Sequence, residues 1–183
     1  VLNMDLVKSG FKKLISKIMG KSKKTRIVYM GTPEFAVAPL DELIKTGHNI
    51  VGVETVADKA SGRGLKINES AVKKYAVEHN IPVLQPISLK DPEFLEALSA
   101  WKADIFVVVA FRMLPKVVWE MPKLGTFNLH AALLPQYRGA APINWAVING
   151  DKATGVTTFM IDEVMDTGKI MFREQCLIGP DET

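Results

Sequence analysis

The stretch "ADIFVVVA", residues 103–110, limits the fold more than any other part of this chain. Five consecutive apolar residues, Ile105 to Val109, with no polar alternation fit a strand buried on both faces. Such a strand needs partners on either side and helices packed over it. The rest of the chain supplies them. "TRIVYMG" and "NIVGVETV" read as further strands, and "IPVLQP" as a third short one. Between them lie "TPEFAVAPLDELIKTGH", "AVKKYAVEHN" and "DPEFLEALSAWK", whose apolar residues recur at helical spacing. In the last of these Asp91 suits the N-cap and Pro92 the first position. Strand and helix alternate through residue 110, so the chain is expected to be α/β, Rossmann-like, with a mostly parallel sheet and helices on both faces. "LPKVVWEMPK" reads as a short helix or turn, "GTFNLH" as a fifth strand and "APINWAVING" as a helix. "ATGVTTFMI" and "GKIMFREQCLI" are later strands that should pair antiparallel near the C-terminal end.

The 183 residues suffice for one domain with a core, and the 48% hydrophobic content excludes a disordered chain. The net charge of +3 is unevenly spread. Residues 1–26 carry eight Lys and Arg against Asp5 alone, which leaves the remainder mildly acidic. Bulk charge therefore makes no case for nucleic-acid binding, and any such case must be local. Residues 4–20 read as a basic amphipathic helix, of a kind that can lie on a membrane or bind a partner. Residues 1–25 are read as an extension or linker ahead of a domain spanning 26–183. One cysteine, Cys176, suits a reducing compartment, and with no secretory segment or membrane span in sight the expected location is cytoplasmic.

The first strand–turn–helix, "YMGTPEFA", keeps only Gly31 of a G-x-G-x-x-G fingerprint, and Glu34 would repel a pyrophosphate there. A nicotinamide dinucleotide is not expected. Attention moves to "FNLHAALLPQYRGAAP", residues 127–142. On a strand, Asn128 and His130 share a face. Leu134-Pro135, Gly139 and Pro142 then build a stiff turn beside them. "DEVMDTGKI" offers Asp162, Glu163 and Asp166, with Asp166 presented from a turn before the next strand; spacing alone reads equally as an Asx turn. His48 and His79 sit at helix ends and read as structural. Three scattered His and one Cys make no zinc pattern, so no metal is expected. Residues 58–74 form a polar, basic loop around "SGRG" that is either solvated surface or a phosphate grip.

"RIVYMGTPEFA", "GRGLK", "VVVAFRMLP", "GTFNLHAALLPQYRGAAPINWAVINGD", "TGVTTFMID" and "MDTG" together resemble the catalytic domain of the methionyl-tRNA formyltransferases. The Asn-x-His, Leu-Leu-Pro-x-Tyr-Arg-Gly and Asp-Thr-Gly elements are shared by the wider group of 10-formyltetrahydrofolate-dependent formyltransferases. The resemblance covers residues 26–183. It implies Asn128, His130 and Asp166 as the catalytic set and 10-formyltetrahydrofolate as formyl donor. Folate contacts are implied for Phe111, Arg112, Met113 and Leu114, for the turn Leu133, Leu134 and Pro135, and for Ile161, Asp162, Glu163 and Val164. The Leu134–Pro135 bond is a candidate for a cis peptide. Lys59, Arg63 and Lys66 fall in the loop that would reach initiator methionyl-tRNA. The resemblance further implies a second, OB-like domain beyond the end of this sequence; a monomer with no membrane partner is expected. Alternatives are a folate-dependent enzyme with another acceptor (a sugar amine, glycinamide ribonucleotide or water) and a non-catalytic folate-binding module. Three departures stand out: Ala132 where the family has a serine, Lys169 after Asp-Thr-Gly, and "ADKASGRG" without the family's prolines.

Overall fold

The structure, a computed structural model, describes residues 25–61, 66–164 and 166–179, together with 8, 11, 12 and 15. It divides into two compact units, residues 23–126 and residues 1–22 with 127–183.

The unit of residues 23–126 opens with β1 (Arg26–Gly31), a 3-10 turn (Glu34–Ala36) and α1 (Val37–Lys45). It continues through β2 (Asn49–Glu54), β3 (Lys59–Ser61), β4 (Lys66–Asn68) and α2 (Ala71–Glu78). β5 (Val83–Leu84), α3 (Pro92–Ala100), β6 (Ile105–Val109) and α4 (Lys116–Trp119) complete it. Strand order is β5-β2-β1-β6 and every pairing is parallel. All five residues of β6 are buried, as an unbroken apolar run requires. Asp91 caps α3 by accepting from Glu93 N at 3.0 Å. Tyr29 is wholly buried and donates its hydroxyl to Ala36 O at 2.6 Å, which ties β1 to the turn after it. Gly52 lies under the Trp101 ring, where a Cβ would come within 2.4 Å of a ring carbon; no larger residue fits this strand position.

Two details depart from the sequence reading. "IPVLQP" contributes only the two-residue strand β5. The loop 58–74 contains an antiparallel hairpin, β3 with β4, in which Ala60 faces Ile67. Lys-Ala-Ser and Lys-Ile-Asn are each too short to register as strands by periodicity.

The second unit holds β7 (Thr126–His130), α5 (Pro142–Ile148), β8 (Ala153–Met160) and β9 (Ile170–Leu177). β7 pairs antiparallel with β8, and β8 with β9. Parallel pairing thus gives way to antiparallel pairing toward the C-terminal end, as expected. Most of the amphipathic segment 4–20 lies outside the described residues. Of its described positions, Phe11 and Ile15 are buried, and Phe11 packs on Phe127 with ring centroids 6.3 Å apart.

Candidate functional site

β7 is the element that aims the site. Its residues alternate, so Phe127 and Leu129 enter the core while Asn128 and His130 share the opposite face. Register with β8 places Asn128 opposite Phe159 and His130 opposite Thr157. Asn128 is half-buried and His130 is buried.

The chain then makes the stiff turn foreseen from its prolines. Leu134–Pro135 is cis. Thr157, itself fully buried, clamps the turn: its Oγ1 donates to Ala132 O at 2.7 Å and accepts from Leu134 N at 3.1 Å. Ala132 is wholly buried, with its carbonyl taken by Thr157.

Asp166 arrives from the β8–β9 connection. Its backbone is left-handed, φ 55°, a region where Asp is tolerated better than most residues. The preceding loop closes on itself: Asp162 Oδ1 accepts from Val164 N at 3.0 Å and from Thr167 Oγ1 at 3.2 Å. Asp162 thus holds the loop that presents Asp166. Glu163 and Val164 are exposed and Ile161 half-buried. Gly168 passes so close to β8 that a Cβ there would lie 1.6 Å from Met160 O. Gly168→Ala should therefore displace this corner and destabilise the protein by about 1–3 kcal/mol or more, read as a lower urea midpoint.

These elements bring His130 and Asp166 together, with Asn128 two positions before His130 on the same face of β7. His130 Nδ1 lies 3.8 Å from Asp166 Oδ2, both side chains being about nine-tenths buried. His130 Nε2 is 2.8 Å from Tyr137 O. A carbonyl only accepts, so Nε2 carries the hydrogen and Nδ1 is the nitrogen facing the carboxylate. Asp166 Oδ2 also accepts from Gly139 N at 2.8 Å. An amide side chain on the same strand face as an imidazole paired with a carboxylate suits transfer through a tetrahedral oxyanion. The amide can donate to the oxyanion, while the imidazole and carboxylate move a proton.

The other implied folate residues belong to the first unit. In its strand order the switch point falls between β1 and β6, where open α/β sheets bind ligands beyond the strand ends. Phe111, Arg112, Met113 and Leu114 follow β6 there. Phe111 is half-buried, Met113 exposed and Leu114 buried. The Arg112 guanidinium is engaged within its own unit: it donates to Pro86 O at 2.6 Å and Ile87 O at 3.0 Å, and sits 4.0 Å from Glu54. Glu54 went unremarked in the sequence. It is fully buried at the end of β2, with neither carboxylate oxygen hydrogen-bonded. Burial pushes its pKa up to about 8, and Arg112 only partly opposes that.

Lys59 is exposed at the start of β3 and Lys66 opens β4; Arg63 lies outside the described residues. His79 stacks on Tyr75 and its Nδ1 is 2.9 Å from Tyr75 O, a structural role as expected. Among the described residues, no group of three or more His, Cys, Asp or Glu is placed to hold a metal ion, and no helix is long and apolar enough to cross a membrane.

Residues 24–183 match the family described as "Formyl transferase". The methionyl-tRNA formyltransferase of Bacteroides thetaiotaomicron is 64% identical over 151 residues, which is 82% of this chain and 47% of that protein. The one from Flavobacterium johnsoniae is 61% identical over 160 residues, 87% of this chain and 51% of that protein. This chain spans about half the length of these curated relatives. Among solved structures, phosphoribosylglycinamide formyltransferase from Bacillus halodurans aligns with a TM-score of 0.70 at 23% identity, covering 87% of this chain and 83% of that one. A formyltetrahydrofolate deformylase from Pseudomonas syringae aligns at 0.69 and 20% identity, covering 100% and 63%. Identities this low carry the fold alone.

Proposed function

For a chain that belongs to the formyl transferase family, as this one does, we propose transfer of the formyl group of 10-formyltetrahydrofolate to the amino group of methionine on initiator tRNA. The observation that carries this reading is the His130–Asp166 pair, with Asn128 on the same face of β7, in a chain 64% identical over 151 residues to a methionyl-tRNA formyltransferase. The methionine amine attacks the formyl carbon, its C–N bond forms, and the bond to N10 of the folate breaks. Overall, one proton leaves the amine and one reaches N10. Asn128 donates to the oxyanion. His130, with Nδ1 toward Asp166, relays the proton, and Asp166 steadies the imidazolium that results.

Folate contacts are assigned to the loop Phe111, Arg112, Met113 and Leu114, to the Leu133–Leu134–Pro135 turn, and to the loop from Ile161 to Val164. Because the Arg112 guanidinium is already held by two carbonyls, that loop offers its main chain to the pterin rather than this charge. Lys59 in β3, Lys66 in β4 and Arg63 in the sequence between them are assigned to tRNA phosphates. The protein is read as a cytoplasmic monomer that takes no part in a membrane.

The test is incubation with 10-formyltetrahydrofolate and charged initiator tRNA, with glycinamide ribonucleotide and water as competing acceptors. Formylmethionyl-tRNA should be the main product. Release of free formate, or formylation of the ribonucleotide instead, would sink the reading.

A further inference from the structure

Both partners of the catalytic pair are held by main-chain groups of one short turn. Tyr137 O takes His130 Nε2 at 2.8 Å, and two residues on Gly139 N donates to Asp166 Oδ2 at 2.8 Å. The geometry of residues 137–139 therefore sets where imidazole and carboxylate stand relative to each other. That geometry is an unusual one. Tyr137 has φ 56°, Gly139 φ 90° and Ala141 φ 54°. Glycine enters the left-handed region without penalty, but an aromatic residue rarely does, so something must hold Tyr137 there.

The side chain of Tyr137 provides the hold. Its hydroxyl donates to Asp151 Oδ2 at 2.6 Å and accepts from Asn149 Nδ2 at 3.0 Å. Asn149 and Asp151 flank the turn between α5 and β8, and that turn is itself closed by Asp151 N donating to Ala146 O at 3.0 Å. The Asp151 bond also pushes the Tyr137 pKa upward, so the hydroxyl stays a donor.

We propose that Tyr137 is a positioning residue: its hydroxyl, pegged to Asp151 and Asn149, fixes the turn whose carbonyl and amide orient His130 and Asp166. Its importance for catalysis rests on the formyl-transfer reading above; the orientation of His130 does not. If Tyr137 served only as packing, a phenylalanine ring would replace it without consequence.

The experiment compares Tyr137→Phe, Asp151→Ala, Asp151→Asn and the double variant Tyr137→Phe with Asp151→Ala. One readout is the 15N imidazole spectrum of His130, which reports the hydrogen on Nε2 and its exchange with solvent. The other is steady-state formyl transfer. Tyr137→Phe and Asp151→Ala should each speed exchange of that hydrogen, and should lower kcat by about 10- to 100-fold, the scale of a small misplacement at a reacting centre. KM for the folate should hold within about threefold, since only the reacting groups have moved. Asp151→Asn still accepts from the hydroxyl and should resemble the wild type in both readouts. The double variant should be no worse than either single one, because both break the same bond. An unchanged His130 signal in Tyr137→Phe, or losses that add in the double variant, would overturn the proposal. Should Tyr137→Phe not fold, the Asp151 pair decides by the same signals. A wild type that forms no formylated product defeats the proposed function, while the imidazole spectrum still decides this inference.

Discussion

On the proposed formyl-transfer reading, His130→Ala should lower kcat by roughly 10²–10⁴-fold, the range that positioned acid–base groups contribute. The imidazole is buried, its Nε2 is fixed by Tyr137 O, and its Nδ1 faces Asp166. The separation from Asp166, 3.8 Å, is too long for a hydrogen bond and should close as the substrates bind, since such contacts commonly tighten in the complex. Asp166→Asn is the sharper companion. Its amide oxygen can still accept from Gly139 N, so the turn survives, but the negative charge beside Nδ1 is gone. A loss of similar order is expected from it, with the circular dichroism spectrum and folate affinity retained. If either variant keeps turnover within threefold of the wild type, the pair is not the proton-transfer apparatus.

The sequence made the strand–helix order legible because each element carried its own signal. β6 is an unbroken apolar run, α3 has an Asp-Pro start, and β7 alternates polar with apolar. The same alternation put Asn128 and His130 on one face, and motif resemblance added Asp166. What stayed hidden depends on contacts between distant residues. Thr157 reads as an ordinary strand threonine, yet it clamps the main chain around Ala132 and Leu134. Tyr137 and Asp151 are 14 positions apart and neither has a periodic signature. The pairing of β3 with β4 escaped for a different reason: three-residue strands stabilise each other but carry no pattern of their own. Arg112 could be placed in its loop by motif, but not its grip on Pro86 and Ile87, which comes from a separate connection.

Glu54 was the least legible residue, and it leads to the second large effect. Within "NIVGVETV" nothing in the sequence singled this glutamate out. Here it is wholly buried, Met30 and Leu84 are its neighbours in register, and both oxygens lack hydrogen bonds. The charged group facing it is Arg112, 4.0 Å away and already donating to two carbonyls. Burial dominates, so the folded-state pKa is raised from 4.5 to about 8. Between those values the native state keeps a proton that the unfolded chain has released. Raising the pH through this window therefore favours unfolding. Glu54's contribution to stability is fully present below about pH 4.5 and is lost progressively up to about pH 8. One proton corresponds to a slope of about 1.4 kcal/mol per pH unit. Glu54→Gln mimics the protonated acid and does not titrate. Urea unfolding of wild type and Glu54→Gln at pH 5, 6, 7 and 8 isolates this group, because every other ionisation is common to both. The wild type should lose stability relative to the variant by about that slope across the series, a few kcal/mol in total. A difference that stays flat from pH 5 to 8 would mean that Glu54 ionises as freely in the fold as in the unfolded chain, and the burial account of this residue would be wrong.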